Sequence, residues 1–247
     1  MRRHALPLLA LVPIVLALAA CQPPPPRVLI LGDSITLEAK GSGESASILA
    51  GYSVDWSGVR FMTAPCNGIA AAKAITYVPD VVVINYAGNR GSFVDNCMAD
   101  ETGQALANRY RKDVQTLIDR FRNGTTRIVI VGAPARKPVL EESNLIFTTL
   151  QSLASATTNQ VAFFDGGRYL TPNRQTTSVA TCLPRETGAR CGTSKDPTKN
   201  YIRDSRHEHL CPYGGELDGS CAMYSSGAVR LSLNLLDGIR AAKVAKR

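Results

Sequence analysis

Val81-Val82-Val83-Ile84 is an unbroken run of β-branched side chains. A strand of that kind must be covered on both faces, the condition of a central strand in a parallel sheet. Residues 27–31, 127–131 and 160–164 have the same character, and 52–59 forms a shorter candidate. Between them lie stretches with helical spacing. Residues 104–121 place Leu106, Tyr110, Val114, Leu117, Ile118 and Phe121 on one stripe, and Asn123-Gly124 closes that helix. Residues 141–156 and about 225–246 read as further helices. Strands alternating with helices predict a parallel sheet with helices on both faces. The irregular stretch 166–220 is rich in Gly, Pro and Thr, and a loop that long is usually functional.

The N-terminus and the cysteines speak of export. Arg2 and Arg3 precede an apolar stretch, 6–20, that is too short for a spanning helix, so residues 1–21 read as a targeting segment. Leu18-Ala19-Ala20-Cys21 resembles a bacterial lipobox, which would place a lipid anchor on Cys21; a plain secretory signal is the other reading. Residues 22–26 form a proline-rich spacer, and 27–247 read as one domain, long enough for a full core. Without Cys21, six cysteines remain: Cys66, Cys97, Cys182, Cys191, Cys211 and Cys221. In an oxidising compartment an even number suggests three disulfides. Cys182–Cys191 and Cys211–Cys221 would staple loops, which leaves Cys66–Cys97. No Cys-x-x-Cys is present to favour a metal. The net charge of +8 is scattered, with no basic run interleaved with aromatics, so nucleic-acid binding is not expected.

Gly32-Asp33-Ser34 ends the first strand, where open α/β sheets place their ligands. A serine hydroxyl there is a candidate nucleophile if a base and an oxyanion pocket can be found. Apart from His4 in the targeting segment, the only histidines are His207 and His209, so the base must be one of them. Asp204 lies close enough in the chain to orient either ring. Two histidines spaced by one residue could instead bind zinc, with Asp204, Glu208 and Glu216 as the convenient further ligands. Asn89 follows the strand that starts at Val81, at the same sheet edge as Ser34. Its side-chain amide could donate to an oxyanion, and a backbone N–H at Gly68 could supply another donor.

These blocks, in this order, resemble the SGNH or GDSL hydrolases. The family's marks would be Gly32-Asp33-Ser34, Gly68, Ala87-Gly88-Asn89 and Asp204-Ser205-Arg206-His207. Two blocks depart from its pattern. Ala87 replaces a glycine and Arg90 an aspartate, and His209-Leu210-Cys211-Pro212-Tyr213-Gly214 fits what usually follows the family's histidine better than His207-Glu208 does. The resemblance implies a flavodoxin-like three-layer α/β/α sandwich with a five-stranded parallel sheet, and an exported esterase that needs no metal or organic cofactor. Ser34 would attack an ester carbonyl, His209 or His207 would take its proton, and Asp204 would orient the ring. The N–H groups of Ser34 and Gly68, with the Asn89 amide, would hold the oxyanion. The substrate would be a small-molecule or glycan acyl ester, its acyl group passing to water or to a sugar hydroxyl. No Gly-x-Ser-x-Gly is present, against an α/β-hydrolase elbow. The competing reading is a non-catalytic envelope lipoprotein of the same fold that binds a glycan or a protein partner.

Overall fold

The structure, a computed structural model, describes residues 24–41, 48–92, 95–157, 160–186, 192–193, 195–210 and 225–242. Cys21, the segment 1–21, and Cys191, Cys211 and Cys221 lie outside the described residues. Five strands form one sheet: β1 (Arg27–Gly32), β2 (Ser53–Val59), β3 (Val81–Asn85), β4 (Arg127–Gly132) and β5 (Val161–Asp165). Every pairing in it is parallel, in the order β2-β1-β3-β4-β5.

Alternation along each strand builds the two cores. Leu29, Leu31, Val82, Ile84, Ile128 and Ile130 face one side of the sheet. There they meet α2 (Pro65–Lys73), α3 (Gly103–Phe121) and α4 (Leu140–Ala156). Val28, Ile30, Val81, Val83, Val129 and Val131 face the other side, under α1 (Ser34–Gly41) and α5 (Ser226–Ala241). Such side chains are withdrawn from water almost completely, at about 1.5–3 kcal/mol each. This explains why the runs carry no polar break.

The strands and the later helices lie within a few residues of their expected positions. Three elements were not anticipated. Helix α1 is only eight residues long and follows Asp33 without a linker. In the long irregular stretch, Val179–Thr181 (β6) and Lys199–Tyr201 (β7) pair antiparallel. A buried ion pair between Glu186 and Arg230 ties this stretch to α5, with Ser226 donating to the same carboxylate at 2.5 Å. The Cys66–Cys97 disulfide is present, and it joins the first turn of α2 to the loop after β3. Cys182 is also disulfide-bonded. Among the described residues no helix is long and apolar enough to cross a membrane.

Candidate active site

The strand order reverses direction between β1 and β3, and at such a point the loops leaving the two strands part to leave a crevice. Gly32-Asp33-Ser34 leaves β1 on one side of it. Ala87-Gly88-Asn89 leaves β3 on the other. A Cβ on Gly32 would fall 2.4 Å from Thr36 Oγ1 and 2.7 Å from the Asn85 carbonyl oxygen, so only glycine lets α1 start this close to β3. The Thr36 hydroxyl uses that closeness, lying 2.9 Å from the Asn85 carbonyl oxygen and 2.8 Å from its Oδ1. Gly88 turns with φ +96°, a left-handed conformation suited to glycine.

Asp33 is wholly buried and joins the two turns. Its Oδ1 accepts from the Ile35 N–H at 3.1 Å, capping α1. Its Oδ2 accepts from the Ala87 N–H at 2.6 Å and from Asn89 Nδ2 at 3.2 Å. Burial pushes the carboxyl up to about 6, against the opposing pull of the Ala87 N–H and the Arg136 charge.

Asn89 is held from three directions. Tyr110 donates its hydroxyl to the Asn89 carbonyl oxygen at 2.6 Å, and Arg136 Nη1 reaches the side-chain Oδ1 at 3.4 Å. With Oδ1 facing a guanidinium and one Nδ2 hydrogen given to Asp33, the amide orientation is fixed and its second hydrogen is left for a ligand. Arg136 also donates to the Ala87 carbonyl at 3.1 Å and pairs with Glu208. One partly buried arginine therefore bridges the β3 turn to the loop that carries the histidines. Arg203 lies behind it, 1% exposed, donating to the Ala135 and Glu208 carbonyls.

The two histidines go separate ways. The His209 ring places Nδ1 against Glu38 Oε1, and Glu38 Oε2 accepts the Leu210 N–H at 2.7 Å. Leu210 is fully buried in the core under α1 and α5, which seats the loop against α1. The Glu38 carboxylate, first of all, raises the His209 pKa above its ordinary value, with smaller contributions from the Glu208 and Asp204 charges. His207 adopts φ +56°, and its buried Nδ1 has no hydrogen-bond partner among the described residues. Burial and the Lys137 and Arg203 charges lower its pKa. Among the described residues no group of three or more His, Cys, Asp or Glu side chains is placed to hold a metal ion.

Two expected roles need correcting. Asp204 does not meet the His209 ring nitrogen; its Oδ1 accepts the N–H groups of Glu208 (2.7 Å) and His209 (3.3 Å) and so closes the loop. The Gly68 N–H is used inside α2, donating to the Ala64 carbonyl at 3.1 Å. A Cβ on Gly68 would come within 2.1 Å of the Tyr86 hydroxyl, so that glycine serves packing. The backbone beside Gly32 is the loop after β2 instead. Arg60 donates its N–H to the Gly32 carbonyl at 3.2 Å, Thr63 Oγ1 lies 3.1 Å from the same oxygen, and Met62 holds φ +53°.

Ser34 opens α1 and is 4% exposed. As the first helical residue its N–H has no partner within the helix, and it sits at the positive end of the helix dipole. Sequence reasoning missed Glu38, Arg136 and Arg203, and named Glu208 only as a possible zinc ligand.

The layers and strand order define a flavodoxin-like α/β/α protein. A Bacteroides fragilis protein described as a "putative acylhydrolase" superposes with a TM-score of 0.51 at 15% identity, over 97% of this chain and 99% of that one. A gut microbial diltiazem-metabolizing enzyme superposes with a TM-score of 0.51 at 16% identity, over 88% of this chain and 48% of that one. This chain therefore spans about half the length of that enzyme. No family model matches the chain, and no curated protein matches it.

Proposed function

We propose that the protein is a serine ester hydrolase, or an acyl transferase of the same chemistry. The observation that carries this reading is the joining of three remote segments around the start of α1. Ser34 begins that helix, Asn89 is tied through Asp33 to the residue before it, and His209 is tied to Glu38 one turn along. The fold shared with the B. fragilis protein supports the same reading.

In the proposed reaction Ser34 Oγ attacks the ester carbonyl carbon while His209 Nε2 takes its proton. The oxyanion is held by the Ser34 N–H and the free Asn89 Nδ2 hydrogen. A side-chain donor in that position contributes about 3–4 kcal/mol to the transition state. The alcohol leaves with the proton from His209, and water or a sugar hydroxyl then takes the acyl group from Ser34. Export, with a lipid on Cys21, is proposed from Arg2, Arg3 and Leu18-Ala19-Ala20-Cys21. Cys21→Ser is expected to move the protein from the membrane fraction to the soluble one.

The deciding experiment combines hydrolysis of short-chain p-nitrophenyl esters with labelling by a fluorophosphonate. Turnover and labelling that vanish in Ser34→Ala and fall sharply in His209→Ala are the expected result. Equal inertness of the wild type and Ser34→Ala across a broad panel would instead favour a binding protein.

A further inference from the structure

Glu38 is 1% exposed on the inner side of α1, close to the apolar Ile35 and Ala39. A carboxylate so placed is costly unless it is paired. Both of its oxygens are used on one short segment, the His209 ring and the N–H of Leu210. We propose that Glu38 is the positioning residue of the catalytic histidine, so that one helix carries both the nucleophile and the carboxylate that orients the base. Asp204 then serves only to close the loop. The proposal rests on the serine-hydrolase reading of the site.

Residues four apart on a helix stand on one face, with Cβ atoms about 5–6 Å apart. Helical side chains also lean toward the helix N-terminus, which carries the Glu38 carboxylate toward Ser34. A ring held there by Nδ1 keeps that proton on the Glu38 side and leaves Nε2 as the basic nitrogen. Asp204 cannot share this task while its Oδ1 accepts two backbone N–H groups and its Oδ2 lies 3.7 Å from Arg206. The charged groups around His209 are Glu38 from α1, Asp204, Arg206 and Glu208 from its own loop, and Arg203 and Arg136 bonded at Glu208. Because Ser34 and Glu38 ride on one rigid helix, the base is in register with the nucleophile only when the 204–210 loop is docked.

The test uses the full chain as wild type, Glu38→Gln, Glu38→Asp and Asp204→Asn, each checked for folding by circular dichroism. Imidazole NMR titration, with His207→Ala to assign the signals, reports the His209 pKa, and ester hydrolysis against pH reports kcat and KM. Glu38→Gln is expected to lower kcat by about 10²–10⁴-fold, the range for a lost orienting carboxylate, with KM changed by less than about threefold. The His209 titration and the acidic limb of the profile should both move to lower pH. Glu38→Asp should recover part of kcat, and it stands in if the glutamine variant does not fold. Asp204→Asn keeps an acceptor oxygen and removes only the smallest of the charges that raise the His209 pKa, so it should move the titration and the limb far less than Glu38→Gln does. The proposal is overturned if Glu38→Gln moves neither, or if Asp204→Asn moves them instead, while Ser34-dependent turnover persists. A wild type without Ser34-dependent turnover or labelling overturns the hydrolase reading itself, and this proposal with it.

Discussion

At the scale of single residues, the two histidines differ by what their rings touch. His209 meets a buried carboxylate, whereas His207 Nδ1 has no partner among the described residues and its pKa is lowered by burial. His209→Ala is therefore expected to cost at least 10³-fold in kcat, and His207→Ala less than about tenfold, when ester hydrolysis is compared. Two groups govern the acidic side of the pH profile. His209 must be neutral to act as base, so activity falls as pH drops through its raised pKa. Asp33 must be ionised to accept from both Ala87 and Asn89, and its carboxyl takes up a proton at about 6. The sign is the same for both, since each proton gained removes function as pH falls. Log kcat/KM should descend with unit slope just below the His209 pKa and steepen toward two below about pH 6. A unit slope throughout would show that Asp33 does not titrate in the working range. Ser34 and Asn89 were legible because strand ends locate them. Glu38 was not, because a lone glutamate in a short helix reads as solvent-facing until its partner, 171 positions away, is in place.

At the scale of elements, α2 is held by contacts that can be loosened one at a time. The Gly68 backbone approaches the Tyr86 hydroxyl, which has no hydrogen-bond partner among the described residues although it is buried. Gly68→Ala should cost about 1–3 kcal/mol by overpacking. Tyr86→Phe should stabilise by about 1 kcal/mol by removing an unpaired hydroxyl. The double variant should lie above Gly68→Ala in urea melts, since the two sites touch. The Cys66–Cys97 disulfide closes a loop spanning 31 positions, so replacing both cysteines by serine should lower stability by about 3–4 kcal/mol on the chain-entropy account. The helices at 104–121 and 141–156 were readable because their apolar spacing is long and regular. Helix α1 is too short for periodicity to show, and its start is set by Asp33 accepting the Ile35 N–H.

At the scale of the whole molecule, two of the buried contacts that fasten the stretch between β5 and α5 differ in kind. One is the Glu186–Arg230 pair, sealed from water at 0% and 2% side-chain exposure. The other is Leu210 in the core beside His209. Glu186→Gln leaves the Arg230 charge buried without its counter-ion and should cost about 3–5 kcal/mol. Limited proteolysis should then cut within 178–203 before it cuts the sheet. By itself the sequence determined the five strands, the two-faced core, the placing of Ser34 and Asn89 at one sheet edge, and the restriction of any histidine base for the proposed reaction to two candidates. Those follow from local pattern, from strand ends and from counting. Only the tertiary structure decided which histidine meets a carboxylate, which carboxylate that is, and that Gly68 is a packing residue. Each of these depends on a contact between segments far apart in the chain, and such a contact becomes specific only when the sheet and α1 bring the two segments together.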